Sequence, residues 1–335
     1  MRVLFNTHPV AFDCPGGGEI QLLECKAALE RLGVHVTLYD QWNPQFEGTD
    51  VVHYFSVQGG STSFCEFVKR KGLPLLVSPI LWPTEENISA YPMNEIQGLL
   101  NLSDVVLPNS AAETDQLAVF FDIDPRKCIV VPNGVADSFS SLSRGDLFRE
   151  HFHLETPFLL NVANIEPRKN QLTLIQAVWG MDFPLVLLGR VRDAAYFEEC
   201  MSKGSHFVQY CGFLPHGGEL LKSAYHASEV FVLPSLLETP GLAALEAATQ
   251  ETRLVLTSVG STREYFQDLV TYVNPHDPEN IRAGIEAALD RNSDEALRLH
   301  VLENFTWDRA ALRLVEAYDR AACLTRAGGG VSQCS

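Results

Sequence analysis

A buried strand, a short loop and a helix are predicted in succession in Leu233-Pro234-Ser235-Leu236-Leu237-Glu238-Thr239-Pro240-Gly241-Leu242-Ala243-Ala244-Leu245-Glu246-Ala247. The apolar run ends at Pro234, the loop carries Glu238, and the helix is predicted to begin near Pro240. Proline costs little in a first helical turn, because its missing N–H would have no partner there. The free N–H groups at such a helix start favour negative charge. We therefore expect an anion to be accommodated at the carboxyl end of this strand.

The same alternation of apolar runs and amphipathic stretches continues on both sides of this segment. Near-continuous apolar strands separated by helices are typical of a parallel sheet covered on both faces. The predicted strands are Val3–Phe5, Val34–Tyr39, Val51–Phe55, Leu75–Val77, Val105–Pro108, Cys128–Pro132, Phe158–Ala163, Leu185–Gly189, Val208–Cys211, Val230–Pro234, Leu254–Thr257 and Thr271–Val273. The predicted helices include Glu19–Leu32, Leu172–Val178, Leu220–Ala227, Gly241–Thr249, Ile281–Leu289 and a last one at about Arg309–Ala322.

The pattern restarts after a polar, serine-rich stretch between Gly134 and Pro157, which we interpret as a linker region. The sequence therefore predicts an α/β protein with two doubly wound, Rossmann-like domains, residues 1–150 and residues 151–308, facing each other across a cleft. In open parallel sheets, ligands bind at the carboxyl ends of the strands. We therefore expect the functional residues in the loops that follow strands.

The composition limits the partners that the chain can bind. The formal net charge of −17 over 335 residues disfavours nucleic acid and anionic lipid headgroups. The compact basic run Lys69-Arg70-Lys71 fits either a solvated helix end or a peripheral membrane contact. No apolar run approaches the ~20 residues that span a bilayer, and the first residues fit a strand rather than a signal peptide, so we expect a cytoplasmic protein. The eight cysteines form no C-x-x-C pair, so we expect neither a zinc site nor a disulfide framework.

Glu238 and Glu246 are candidate ligand-binding residues of the segment 233–247. Glu238 lies just ahead of the predicted helix, and Glu246 lies about two turns inside it. Carboxylates accept hydrogen bonds from vicinal hydroxyls, so one could hold a sugar and the other a ribose. Solvated acids on a capped amphipathic helix fit the same residues, and this segment alone leaves both interpretations open.

The spacing Glu238-x7-Glu246 resembles the signature of retaining family-4 glycosyltransferases, the glycosyltransferases group 1, whose fold is GT-B. Further segments occur in the order in which that family has them, and they span almost the whole chain. They are Gly16-Gly17-Gly18-Glu19, Pro108-Asn109-Ser110, Pro132-Asn133-Gly134-Val135, Glu166-Pro167-Arg168-Lys169-Asn170, Gly212-Phe213-Leu214 and Phe305-Thr306-Trp307. The resemblance also implies a C-terminal helix, at residues 309–325, that packs back on the first domain.

The resemblance implies retaining transfer of a sugar from a nucleotide-diphosphate sugar to a hydroxyl acceptor, a glycan or lipid-linked glycan, in polysaccharide or glycan biosynthesis. No cofactor and no metal is expected, because Lys169 and helix-terminal amides take the place of a metal at the diphosphate. The implied site residues are Lys169 and Arg168 at the diphosphate, Glu238 at the transferred sugar, Glu246 at the ribose, Gly241 and Leu242 at the distal phosphate, Gly17 and Gly18 near the phosphates, and Gly189, Arg190, Gly212 and Phe213 around the nucleobase. Ordinary solvated turns fit Arg168 and the glycine loops as well.

Two positions depart from the family pattern. The usual Gly-Arg-x-x-Pro-x-Lys is here Ala163-Asn164-Ile165-Glu166-Pro167-Arg168-Lys169, so Asn164 takes the arginine position and Arg168 is the candidate replacement. Family members also carry a histidine after a first-domain strand, and the loop at 77–83 has none. His53 is the nearest substitute and joins Glu238 and Lys169 as a candidate catalytic residue, with a structural histidine in an apolar strand as the alternative.

Two other functions fit the same sequence. A nucleotide-sugar epimerase or hydrolase of the same fold would turn over the donor with no acceptor present. A non-catalytic subunit that binds a sugar nucleotide or a glycan would account for Asn164 at the arginine position.

Overall fold

The computed structural model describes residues 1–13, 15–58, 60, 62–291 and 295–329, with side chains up to residue 325. The chain divides into two units. Met1–Asn133 and Trp307–Ser335 form the first unit, and Gly134–Thr306 forms the second. Each unit is built on a parallel sheet, which confirms the predicted α/β class.

Strands and helices alternate along the described residues. The strands are β1 (Arg2–Asn6), β2 (His35–Leu38), β3 (Val51–Phe55), β4 (Leu75–Ser78), β5 (Val105–Val106), β6 (Leu159–Val162), β7 (Leu185–Leu188), β8 (Val208–Tyr210), β9 (Val230–Leu233), β10 (Arg253–Thr257) and β11 (Thr271–Val273). The helices are α1 (Gly17–Arg31), α2 (Thr62–Arg70), α3 (Met93–Leu102), α4 (Ala111–Phe120), α5 (Asp146–Phe152), α6 (Gln171–Val178), α7 (Ala194–Gly204), α8 (Glu219–Ala227), α9 (Leu242–Thr249), α10 (Thr262–Phe266), α11 (Pro278–Leu289), α12 (Glu295–Asn304) and α13 (Trp307–Gly329). Over this part of the chain, none of the helices combines the length and the apolar character needed to cross a bilayer.

The first unit has, in its described residues, a sheet of five parallel strands in the order β2-β1-β3-β4-β5. Its central strand β3 is buried at every position. The register pairs Val51 with Val3 on one side and Val52 with Leu75 on the other. Helices cover both faces of such a strand, which explains why its sequence is nearly continuous in apolar residues.

His53, a candidate catalytic residue from the sequence, is a buried structural residue of β3. Its side chain is 0% exposed. Nδ1 lies 2.9 Å from the Tyr318 hydroxyl of α13, and Nε2 lies 2.9 Å from Ser78 Oγ of β4. Burial lowers the pKa of the imidazole to about 3, so the ring is neutral at physiological pH. The catalytic assignment of His53 is therefore corrected, because a ring with no accessible surface and two occupied nitrogens cannot contact a substrate.

Helix α13 completes the first unit although it follows the second unit in the chain. The Arg31 guanidinium of α1 lies 2.5 Å from the Asp308 carboxylate. Arg320 donates to the carbonyl of Arg126 at 2.6 Å, and the Tyr318 ring is fully buried. The unit therefore has contributions from both ends of the chain.

The second unit has, in its described residues, a sheet of six parallel strands in the order β11-β10-β9-β6-β7-β8. Successive residues of its central strands belong to two separate apolar clusters. Leu160 and Phe231 belong to one cluster, whereas Leu159 and Val230 belong to the other. Because side chains alternate across a strand, the two clusters cover the two faces of this sheet.

Residues 134–150, predicted as the end of the first domain and part of a linker, pack in the second unit. Phe139 and Phe148 are 0% exposed and belong to its core. The Ser143 amide donates to Gln250 Oε1 at 2.9 Å. The linker interpretation is therefore wrong for this stretch: its serines obscured two core aromatic residues.

The predicted strand at Cys128–Pro132 is reduced to a single bridge between Cys128 and Val106. The amide of Ile129 donates to the Val106 carbonyl, and that of Val131 donates to the Pro108 carbonyl, both at 2.9 Å. Pro108 has no N–H with which to return a hydrogen bond, so a regular ladder cannot form beside it.

The buried ring of His53 generates a stability prediction. His53→Ala is expected to lower the free energy of unfolding at pH 7 by about 3 kcal/mol. The substitution removes a packed ring and takes a hydrogen-bond partner from the buried hydroxyls of Tyr318 and Ser78. The unfolded chain protonates this ring near pH 6.5, but the folded chain does so only near pH 3. Wild-type stability should therefore fall by up to about 1.4 kcal/mol per pH unit below 6.5 through this group, a loss that the variant lacks.

Urea denaturation at pH 7 and pH 5 measures both effects. His35→Ala, at an exposed position of β2, is the matched control and should change stability little. Equal pH dependence in the wild type and His53→Ala would show that the ring is not held neutral.

Candidate functional site

The strand order of the second unit brings two polar loops together. Strands β9 and β6 are adjacent and parallel, so their carboxyl ends meet at one edge of the sheet. The loop after β6 (residues 163–170) carries Lys169, and the loop after β9 (residues 234–241) carries Glu238. Two residues separated by 69 positions in the sequence are thereby placed side by side.

Asn170 joins these loops to a third one. Its backbone is left-handed, with φ of 62°, and its side chain is buried. Nδ2 donates to the carbonyls of Pro234 at 2.9 Å and Pro275 at 2.7 Å. The Leu236 amide donates to the Arg168 carbonyl at 2.9 Å. Backbone-directed hydrogen bonds therefore hold the loops after β6, β9 and β11 in one arrangement.

Lys169 and Glu238 form a nearly buried ion pair. Nζ lies 2.5 Å from Oε1, and the two side chains are 13% and 5% exposed. Burial raises the pKa of the Glu238 carboxyl, but the Lys169 ammonium and the Arg168 guanidinium outweigh burial, so this pKa lies below its ordinary value. Burial lowers the pKa of the Lys169 ammonium, and the Glu238 carboxylate opposes that shift. Two of the three predicted catalytic residues are thus in direct contact, with opposite charges.

Further positive charge lies in the neighbouring loops. Arg168 is exposed; its guanidinium donates to the Leu237 carbonyl at 3.3 Å and to Glu166 Oε1 at 3.1 Å. Arg192, which the sequence analysis missed, lies 3.4 Å from Glu166 Oε2 in the loop after β7. Three cations, Lys169, Arg168 and Arg192, therefore face two carboxylates, Glu166 and Glu238, which leaves a local excess of positive charge in a chain with a net charge of −17.

The backbone of Glu238 is fixed by the loop after β10. Its amide donates to the Val259 carbonyl at 3.2 Å, and its carbonyl accepts from the Ser261 amide at 3.0 Å. Gly260, between these two residues, has φ of 105°, and a β-carbon there would lie 2.0 Å from the Glu238 carbonyl oxygen. A glycine is therefore required at position 260 for Glu238 to take this place.

Helix α9 begins beside the ion pair. Gly241 is its N-terminal cap residue and Leu242 its first helical residue. A β-carbon on Gly241 would lie 3.3 Å from Glu238 Oε2, so the helix start and this carboxylate are close neighbours. The first N–H groups of a helix lack intrahelical acceptors and favour negative charge.

Glu246 is the fifth residue of α9, about one turn from the helix start, and is 5% exposed. Its Oε2 accepts a hydrogen bond from the Tyr225 hydroxyl at 2.7 Å, and its Oε1 lies 3.0 Å from His216 Nδ1. Neither partner was among the site residues predicted from the sequence. The position of His216 in a loop after β8 was a usable signal, whereas Tyr225 lies within an amphipathic helix and offered none.

The loops proposed to surround a nucleobase are also adjacent. The Arg190 guanidinium carbon lies 3.8 Å from the centroid of the Phe213 ring. The Gly189 amide donates to the Gly212 carbonyl at 2.9 Å. Gly189 has φ of 148°, and a β-carbon there would lie 1.8 Å from the Ala163 carbonyl oxygen. These contacts bring the loops after β6, β7 and β8 together.

The remaining predicted residues lie as follows. Asn164, at the family's arginine position, is partly exposed after β6, and its carbonyl accepts from Gln171 Nε2 at 3.0 Å. Gly17 and Gly18 open helix α1 of the first unit, next to a hydrogen bond from the Gly16 amide to the Glu19 carboxylate.

Comparison with known proteins supports the resemblance of these motifs. Residues 144–301 match the family model of the glycosyl transferases group 1. The D-inositol 3-phosphate glycosyltransferase of Geodermatophilus obscurus is 33% identical over 240 residues, which are 66% of this chain and 53% of that protein. The serotype-specific mannosyltransferase WbdA of Escherichia coli is 26% identical over 258 residues, which are 70% of this chain and 31% of that protein. The chain thus spans about half of the first relative and about a third of the second.

Solved structures share the fold over nearly the whole chain. Sucrose-phosphate synthase from Thermosynechococcus elongatus has a TM-score of 0.82 at 19% identity, over 97% of this chain and all of that one. Anabaena Alr3699/HepE, solved in complex with UDP and glucose, has a TM-score of 0.77 at 15% identity, over 95% of this chain and 99% of that one. The predicted GT-B fold is confirmed, and the chain carries a domain of the glycosyl transferases group 1 family at residues 144–301.

Proposed function

We propose that the chain is a retaining glycosyltransferase that moves a sugar from a nucleotide-diphosphate sugar to a hydroxyl acceptor. The observation that supports this most directly is the Lys169–Glu238 pair, 2.5 Å apart and beside the start of α9. The group 1 match covers both residues and Glu246. A cation, helix amides and two carboxylates around one helix start suit the diphosphate, the sugar and the ribose of such a donor.

The diphosphate in this proposal is held by two cationic side chains and by the start of a helix. Lys169 supplies a full charge, and the amides of Gly241 and Leu242 supply the partial charge of a helix start. Arg168, next to Lys169, adds a second cation. In this proposal it compensates for the family's arginine, whose position is occupied by Asn164. With these groups at the phosphates, we propose a reaction that needs no metal.

The proposed reaction balances in atoms and charge. The acceptor hydroxyl oxygen bonds to the anomeric carbon while the bond from that carbon to the distal phosphate oxygen breaks, on the same face of the sugar. The departing phosphate oxygen takes the acceptor proton, so no protein base is assigned. Lys169 neutralises the charge that develops on the diphosphate, and Glu238 accepts hydrogen bonds from the sugar hydroxyls.

For the acceptor we propose a glycan or lipid-linked glycan, in polysaccharide or glycan biosynthesis. Two relatives named as mannosyltransferases, WbdA and the O-antigen chain mannosyltransferase B of Escherichia coli, support a glycan acceptor. We place the protein in the cytoplasm with at most peripheral membrane contact. The net charge of −17 disfavours nucleic acid as a partner.

Asn164 favours one alternative, a non-catalytic subunit that binds a sugar nucleotide or a glycan. An asparagine at the arginine position removes one cation from the diphosphate site. The alternative predicts binding of the sugar nucleotide or the glycan without sugar transfer.

The proposed donor site predicts a response to one class of nucleoside diphosphate. Thermal unfolding with UDP, GDP, ADP and TDP, each without metal, should show a clear stabilisation by the matching nucleotide. A ligand at about 100 times its dissociation constant adds about 2.7 kcal/mol to the free energy of unfolding. Lys169→Ala and Glu246→Ala should abolish this stabilisation.

Lys203→Ala is the matched control for that experiment. Lys203 is an exposed lysine of α7, paired with Glu199 at 2.6 Å, and its variant should respond to the nucleotide as the wild type does. A wild-type protein that none of the four nucleotides stabilises would refute the donor site.

The buried ion pair predicts a non-additive loss of stability. Lys169→Met should lower the free energy of unfolding by about 3 kcal/mol, because it leaves the Glu238 carboxylate buried without its cation. Adding Glu238→Gln to Lys169→Met should restore most of that loss, because neither charge remains. The exposed pair Lys203–Glu199, treated in the same way, should change stability by less than about 0.5 kcal/mol. Additive losses at Lys169 and Glu238 would count against direct electrostatic coupling.

A further inference from the structure

We propose that His216 and Tyr225 orient the carboxylate of Glu246 for the two hydroxyls of the donor ribose, so that both are positioning residues for the nucleotide. This inference rests on the proposed function. Through their contacts with Glu246, the two residues would give the site its preference for a ribose that carries both hydroxyls.

Tyr225 holds one oxygen of the carboxylate. It lies on α8, its side chain is 0% exposed, and its hydroxyl donates to Glu246 Oε2 at 2.7 Å. Burial, reinforced by the carboxylate of Glu246, raises the pKa of the Tyr225 phenol well above its ordinary value. The phenol therefore keeps its proton and remains a donor throughout the physiological pH range.

His216 holds the other oxygen. Its Nδ1 lies 3.0 Å from Glu246 Oε1, and because a carboxylate only accepts hydrogen bonds, this nitrogen carries the hydrogen. The ring lies 5.9 Å, between centroids, from the buried ring of Phe139. His216 is 28% exposed, whereas Tyr225 is fully buried. One contact thus comes from a core helix and the other from a partly exposed loop.

The two contacts leave Glu246 with capacity for two more hydrogen bonds. An ionised carboxylate has about four lone-pair sites, and His216 and Tyr225 each take one, on different oxygens. The two sites that remain are likewise one on each oxygen. A vicinal diol presents two hydroxyls with a matching spacing, and the 2′ and 3′ hydroxyls of a ribose are such a diol.

Burial explains why the orientation of Glu246 needs two fixed partners. The flanking residues Leu245 and Ala247 are 0% exposed, and Glu246 is 5% exposed. A carboxylate with so little contact with water depends on protein donors. Removing one donor would let the carboxylate turn about its terminal bond, so its free lone pairs would no longer face the diol together.

Affinity for matched nucleotides with and without these hydroxyls tests the proposal. Calorimetry would compare UDP, GDP and ADP with their 2′,3′-dideoxy analogues in the wild type, His216→Ala, His216→Gln and Tyr225→Phe. The wild type should prefer the ribonucleotide that it binds by about 100-fold, the effect of two hydrogen bonds to a charged group. His216→Ala and Tyr225→Phe should each reduce that preference to about 10-fold, with the affinity for the dideoxy analogue unchanged. His216→Gln, whose amide can donate to Oε1, should retain most of it.

The control and the contrary outcomes separate the inference from the proposed function. His206→Ala changes an exposed histidine that precedes β8, whereas His216 follows the other end of the same strand. This control variant should keep the full preference. Equal losses for ribo and dideoxy nucleotides in His216→Ala and Tyr225→Phe would show a merely structural role and overturn the inference. A wild type that binds both forms equally would overturn it while leaving the donor site in place. A wild type that binds none of the six nucleotides would overturn the inference, and one that also fails to bind TDP would overturn the proposed function with it.

Discussion

The salt bridge between Lys169 and Glu238 is the contact on which the candidate site depends. Both side chains are nearly buried, and neither charge would be tolerated there without the other. Each partner is fixed by its own loop: Asn170 anchors the turn that carries Lys169, and Gly260 gives the backbone of Glu238 its place. The pair persists because β6 and β9 are neighbours in a parallel sheet, so its existence is a consequence of strand order.

The two glutamates of the Glu238-x7-Glu246 spacing have different surroundings. Glu238 faces a lysine, a partner that the anionic diphosphate of a donor would also attract. Glu246 faces a phenol and an imidazole, which fix its orientation. These different surroundings support the separate roles that we propose for the two carboxylates, Glu238 at the sugar and Glu246 at the ribose.

Much of the site could be predicted because strands, loops and helices leave local patterns. Lys169, Glu238 and Glu246 follow apolar runs, and parallel strands collect such loops at one edge. The strand order depends on contacts between distant parts of the chain, so local patterns do not reveal it. The contact between Glu238 and Lys169 follows from that order. The partners His216 and Tyr225 depend on the same tertiary arrangement. The burial of His53 agrees with the structural alternative that its apolar strand suggested, but its hydrogen-bond partner Tyr318, 265 positions away, could not be predicted.

The anomeric configuration of the transferred product tests the proposed reaction most directly. Sugar nucleotides with the base of the nucleoside diphosphate that stabilises the protein would be incubated with a panel of glycan acceptors. The product would be analysed by NMR. We expect a product with the anomeric configuration of the donor, formed at least about 100-fold more slowly by Glu238→Gln, which retains nucleotide binding. An inverted product, or donor turnover that proceeds at the same rate with no acceptor present, would contradict the proposed reaction.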